Sequence, residues 1–91
     1  MLYIGVDLGT SACKFLLVDD KGRVLNTVSK TYPISFPHPG WSEQAPEDWW
    51  AACLEGIPLL LQGYDAAQVA AVGAGGQMHG LVALDAQDAV I

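Results

Sequence analysis

Tyr3-Ile4-Gly5-Val6-Asp7-Leu8-Gly9-Thr10-Ser11 is the stretch on which the reading of the chain turns. Leu2 to Leu8 is a short, mostly apolar run ended by Gly9, which suits a strand buried on both faces. Lys14 to Val18 reads as a second strand, so the residues between them form a sharp turn. That turn has the chemistry of an anion site. Gly9 lets the backbone come close to an anion, and the amides and hydroxyls of Thr10 and Ser11 can donate to phosphate oxygens. Asp7 can hold a hydrated Mg²⁺ through its carboxylate, and Lys14 adds a positive charge if it points inward. The same residues also suit an ordinary hairpin in which Asp7 caps turn amides, and spacing alone does not separate the two. A P-loop is excluded, because no G-x-x-x-x-G-K-S run occurs.

Working outward, Asp20-Lys21-Gly22 supplies the glycine that a tight hairpin needs, and Val24 to Ile34 continues as a third strand with partly alternating character. Three antiparallel strands in succession follow. Phe36 to Trp41 contains two prolines and reads as a loop, since proline lacks a donor and restricts the residue before it. Pro46 suits the first turn of a helix, with Glu47 and Asp48 close behind it. Trp49, Ala52, Cys53, Ile57, Leu60 and Leu61 then fall on one side of an amphipathic helix over 46–62. Ala45 is a poor N-cap, and Pro58 predicts a kink or an early break. Val69 to Gly73 is a further strand, followed by a Gly-rich turn, Gly75-Gly76-Gln77-Met78-His79-Gly80. Leu81 to Leu84 reads as a strand, Asp85 to Asp88 as a turn, and Ala89 to Ile91 as the start of another strand. A meander leading through a helix to a further strand is an α/β order.

Composition limits the function. The chain has 91 residues, 52% of them hydrophobic and only 15% charged, with a net charge of -6. It is too apolar to be disordered. It amounts to one small domain at most, and so low a charged fraction points to apolar surface meant for further sequence or a partner. The four basic residues all lie within 1–30, whereas residues 31–91 carry seven acidic residues and no basic ones. Nucleic acid and anionic membrane are therefore not expected partners. Cys13 and Cys53 form no metal-ligand pattern and read as buried free thiols. The N-terminus resembles neither a signal peptide nor a membrane span, which makes a cytoplasmic location the default.

Residues 3–11 with Lys14 look like the opening of the FGGY carbohydrate kinases, relatives of actin, hexokinase and the heat-shock ATPases. His38-Pro39-Gly40-Trp41-Ser42-Glu43-Gln44 with Pro46-Glu47-Asp48-Trp49-Trp50 is similar to the xylulokinase branch of that family. Gly75 to Gly80 is similar to its sugar-site turn. The resemblance implies a ribonuclease H-like, actin-like ATPase fold, with residues 1–91 forming the N-terminal part of the first of two domains. It implies ATP-dependent phosphorylation of D-xylulose to the 5-phosphate by the full-length enzyme, with a homodimer one assembly open to it. Gly9, Thr10, Ser11 and Lys14 are then the phosphate and ATP contacts, and Asp7 the Mg²⁺ contact. Gln77, Met78 and His79 become the sugar contacts. The family's general-base Asp lies beyond residue 91, so these residues alone are expected to be inactive. Taken without the resemblance, Met78 reads as a core residue and His79 as a solvent-exposed loop histidine. Rival readings are a kinase for ribulose, glycerol or gluconate, a non-kinase actin-like ATPase, and an isolated interaction domain.

Overall fold

The computed structural model describes residues 1–40, 42–76 and 82–90. Three strands form the expected meander: β1 (Leu2–Leu8), β2 (Ala12–Asp19) and β3 (Val24–Thr31), each antiparallel to the next. Helix α1 (Pro46–Leu60) and a 3₁₀ turn (Ala66–Gln68) lead to β4 (Val69–Gly76), which lies parallel to β1. Sheet order is β3-β2-β1-β4. No helix among the described residues is long and apolar enough to cross a membrane.

Local chemistry explains where the elements begin and end. At the β2–β3 turn, Asp19 Oδ1 accepts from the amides of Lys21 (2.9 Å) and Arg23 (3.0 Å), and Gly22 takes φ 77°. These bonds, with the Arg23 amide first among them, hold the Asp19 carboxyl below its usual range. Residues 85–88 repeat the device: Asp85 Oδ1 accepts from Gln87 (2.8 Å) and Ala89 (2.9 Å). Of the strands expected on either side of that turn, the described residues 82–84 and 89–90 make a single bridge between Leu84 and Val90, while Leu81 and Ile91 lie outside the described residues. The third strand is also shorter than expected, ending at Thr31 rather than Ile34. Tyr32 makes the last bond in register, its amide donating to the Ser11 carbonyl opposite it at 3.1 Å, and Pro33 after it has no donor to continue the ladder.

Helix α1 starts without a side-chain cap at Ala45, as expected. It does not break at Pro58 but runs on to Leu60, and the Leu61 amide donates to the Ile57 carbonyl at 3.0 Å. Ala52, Gly56 and Leu60 are its buried residues, with Trp49, Cys53, Ile57 and Leu61 packed at the margin. They meet Ile4, Cys13, Phe15 and Leu17 on one face of the sheet. Cys13 is fully buried, whereas Cys53, expected to be buried as well, is only half-buried because it sits at the helix margin.

The helix approaches the sheet closely because of one glycine. A Cβ placed on Gly56 would lie 2.5 Å from Phe15 Cε2 and 2.8 Å from Phe15 Cδ2. Phe15 has no exposed surface, so its ring cannot swing aside. Gly56→Ala should therefore destabilise the protein. Overpacking costs about 1–3 kcal/mol, and alanine's better helix propensity returns only about 1 kcal/mol. Urea denaturation checks this, and Gly56→Ala combined with Phe15→Leu should recover most of the loss.

Burial pushes the Cys13 thiol up from 9.0 to about 11, with the neighbouring Cys53 thiol adding to the effect. A thiol held neutral by the fold stabilises it fully below pH 9.0, and that contribution is lost as pH rises toward about 11. Denaturation of the wild type and of Cys13→Ala across this range should show the stability gap between them narrowing as pH rises.

Candidate functional site

Side chains alternate along β1 and β2, so the two faces of the sheet differ. Ile4, Cys13, Phe15 and Leu17 point into the core, while Asp7 and Lys14 stand exposed on the other face. Asp7 and Lys14 are direct partners across the β1–β2 ladder. Beside them, Gly5 pairs with Gly73 and Asp7 with Gly75. These positions line an open concavity of about 490 Å³, with Leu16 at its side. Glycines at 73 and 75 keep its floor at backbone level, since a Cβ on either would meet nothing within 4 Å.

The turn 9–11 joins β1 to β2 at the end of the sheet just beyond Asp7 and Lys14. The Gly9 amide donates to the Ala12 carbonyl at 2.9 Å, and a Cβ on Gly9 would lie 2.9 Å from that same oxygen. Glycine is thus required by the turn itself, apart from any anion. The three carbonyls of the turn are all engaged: Gly9 O accepts from Tyr32 Oη, Thr10 O from Gln44 Nε2, and Ser11 O from the Tyr32 amide. With its acceptors engaged, the turn has the Thr10 and Ser11 amides and hydroxyls left as donors toward solvent. That polarity suits an anion.

Tyr32 and Gln44 were not assigned roles from sequence. Gln44 lies in the stretch 38–44, but nothing in its spacing shows that it reaches thirty-four residues back to Thr10. Tyr32 is buried, and its hydroxyl is raised above the usual range by burial first, then by the charges of Cys13 and Asp7.

Asp7, Gly9, Thr10, Ser11 and Lys14 are therefore gathered at one end of the sheet. Gln77, Met78 and His79 lie outside the described residues, as does Trp41. The strand that leads to them is described: β4 runs through Gly75 and Gly76, where a turn was expected, because pairing with Asp7 and Leu8 satisfies its backbone. No group of three or more His, Cys, Asp or Glu is arranged to hold a metal among the described residues. Asp7 by itself fits a magnesium ion that keeps most of its water and takes one carboxylate oxygen from protein.

Comparison with known proteins matches residues 2–91 to the FGGY family of carbohydrate kinases, N-terminal domain. The chain is 43% identical over 90 residues to a xylulose kinase of Escherichia coli (strain K12), covering 99% of this chain and 19% of that protein. A crystal structure of a xyloylose kinase from Brucella ovis superposes with a TM-score of 0.92 at 40% identity, covering 99% of this chain and 19% of that one. A gluconate kinase from Lactobacillus acidophilus superposes equally well, at 0.92 and 36% identity, over 99% of this chain and 18% of that one. The chain thus spans about a fifth of the length of these relatives, and its sheet and helix are part of the actin-like, ribonuclease H-like fold.

Proposed function

Because the chain belongs to the FGGY family of carbohydrate kinases, we propose that it is the N-terminal part of an ATP-dependent kinase that phosphorylates D-xylulose. In this reading the turn 9–11 and Lys14 take up phosphate oxygens of ATP, and Gln77, Met78 and His79 meet the sugar. Asp7 would give one oxygen to a hydrated Mg²⁺, whose charge offsets that of the transferring phosphoryl group. The rest of the nucleotide surface and the general base belong to sequence beyond residue 91.

The observation that carries the reading is the meeting of β1 and β4 at one end of the sheet. Leu8, just before the turn, pairs with Gly76, just before Gln77. A phosphate turn and the sugar-contacting residues of this reading, each following one of two adjacent parallel strands at the same end, suit transfer between two substrates. A gluconate kinase reading also has support, since a structure of that name superposes as well as the xylulose kinases do.

Two substitutions in the full-length enzyme test the division of labour. Asp7→Asn should lower turnover with D-xylulose far more than it changes sugar affinity, because it weakens charge stabilisation in the transition state. His79→Ala should weaken sugar use by about ten- to a hundredfold, the cost of about 1–3 kcal/mol for an unpaired hydroxyl, and leave ATP binding nearly unchanged. Steady-state kinetics with D-xylulose and D-gluconate as alternative acceptors check both. Near-normal turnover of Asp7→Asn at saturating Mg²⁺ would reduce Asp7 to a turn residue.

A further inference from the structure

Gln44 occupies a place in the fold that its sequence surroundings do not suggest. Glu43 before it is fixed by a two-way bridge to Ser35, amide to carbonyl at 2.7 Å in each direction. Ala45 after it is the residue from which α1 starts, and the Asp48 amide donates to the Ala45 carbonyl at 2.9 Å. The Gln44 side chain then bridges two elements. Its Oε1 accepts from Trp49 Nε1 at 3.2 Å, and its Nε2 donates to the Thr10 carbonyl. Trp49 is itself packed against the core.

We propose that Gln44 is a positioning residue that sets the orientation of the turn 9–11, and with it the donors this turn offers to nucleotide phosphate. The proposal rests on the reading of that turn as the phosphate site. A carboxamide suits the task because it is acceptor and donor at once: one atom fixes it to the helix start, the other fixes the turn. With the Thr10 carbonyl held, the peptide plane joining Thr10 to Ser11 is fixed, and the direction of the Ser11 amide with it. Tyr32 holds the neighbouring Gly9 carbonyl, but as a core residue it cannot be removed without disturbing packing. Gln44 is only half-buried, so its role can be separated from folding.

The test compares Gln44→Ala and Gln44→Glu with the wild type in the full-length protein. Gln44→Glu keeps the size and the acceptor for Trp49 but loses the donor to Thr10. Amide hydrogen exchange at Gly9 and Tyr32, whose amides donate to the Ala12 and Ser11 carbonyls at this turn, is read without nucleotide, reports the turn directly and does not depend on activity. Both variants should exchange faster there, with little change in β2 and β3. KM for ATP should rise about threefold to tenfold, the range expected for one net hydrogen bond, while KM for the sugar stays within error. Unchanged exchange at Gly9 and Tyr32 would overturn the proposal whatever the kinetics. Faster exchange with unaltered use of ATP would overturn it as well, and so would wild-type behaviour of Gln44→Glu. If the wild-type protein used neither ATP nor sugar, the functional reading would fail while the exchange data still judged the positioning.

Discussion

The contact between Gly56 and Phe15 sets the geometry on which everything else in the chain depends. With no side chain at 56, α1 can settle onto the Phe15 ring. The helix direction is shown by two further contacts: Asn26 Nδ2 donates to the Leu60 carbonyl at 3.1 Å, and Lys30 lies 3.8 Å from Glu55. By these contacts α1 runs antiparallel to β3 and hence parallel to β2. The start of the helix therefore lies at the same end of the sheet as the turn 9–11, close enough for Gln44 to reach Thr10. The exposed Lys30–Glu55 pair contributes little energy. Its value here is as a marker of direction.

A division of labour between the two faces of the sheet follows. One face is covered by α1 over β2 and β3 and carries the core. The other bears Asp7, Lys14 and a floor of glycines, surface that contributes little to stability and is available for a ligand. Because side chains alternate along a strand, one short sequence can serve both faces: in Cys13-Lys14-Phe15 the outer two residues hold the helix and the middle one faces the trough. Substitutions in β2 should accordingly sort by parity, with odd positions acting on folding and even positions on the site.

Elements governed by local chemistry were legible in the sequence. Gly22 marked a hairpin, Pro46 a helix start, and Asp85 a turn, because each acts through its own backbone or the next few residues. Elements governed by distant partners were not. Gly75 and Gly76 look like a turn until β1 supplies a parallel partner. The 3₁₀ turn at Ala66–Gln68 was missed although Asp65 accepts from the Ala67 amide at 3.0 Å, a local cap visible in Asp-Ala-Ala. Of the candidate site, Asp7, Gly9, Thr10, Ser11 and Lys14 are named by the motif, and they lie together at one end of the sheet. Gln44 and Tyr32 escaped, since a side chain holding a carbonyl more than twenty residues away leaves no periodic trace.

If the turn between β1 and β2 takes the phosphates of ATP, as proposed, its backbone must respond when nucleotide binds. The most direct measurement is a titration of the isotope-labelled protein with Mg²⁺ and a non-hydrolysable ATP analogue, following backbone amide resonances. Saturable shifts should concentrate at Gly9, Thr10 and Ser11, with the chemically similar Asp-capped turns at 19–23 and 85–88 left unmoved. Binding that saturates while the amides of Gly9, Thr10 and Ser11 stay in place would contradict the proposal.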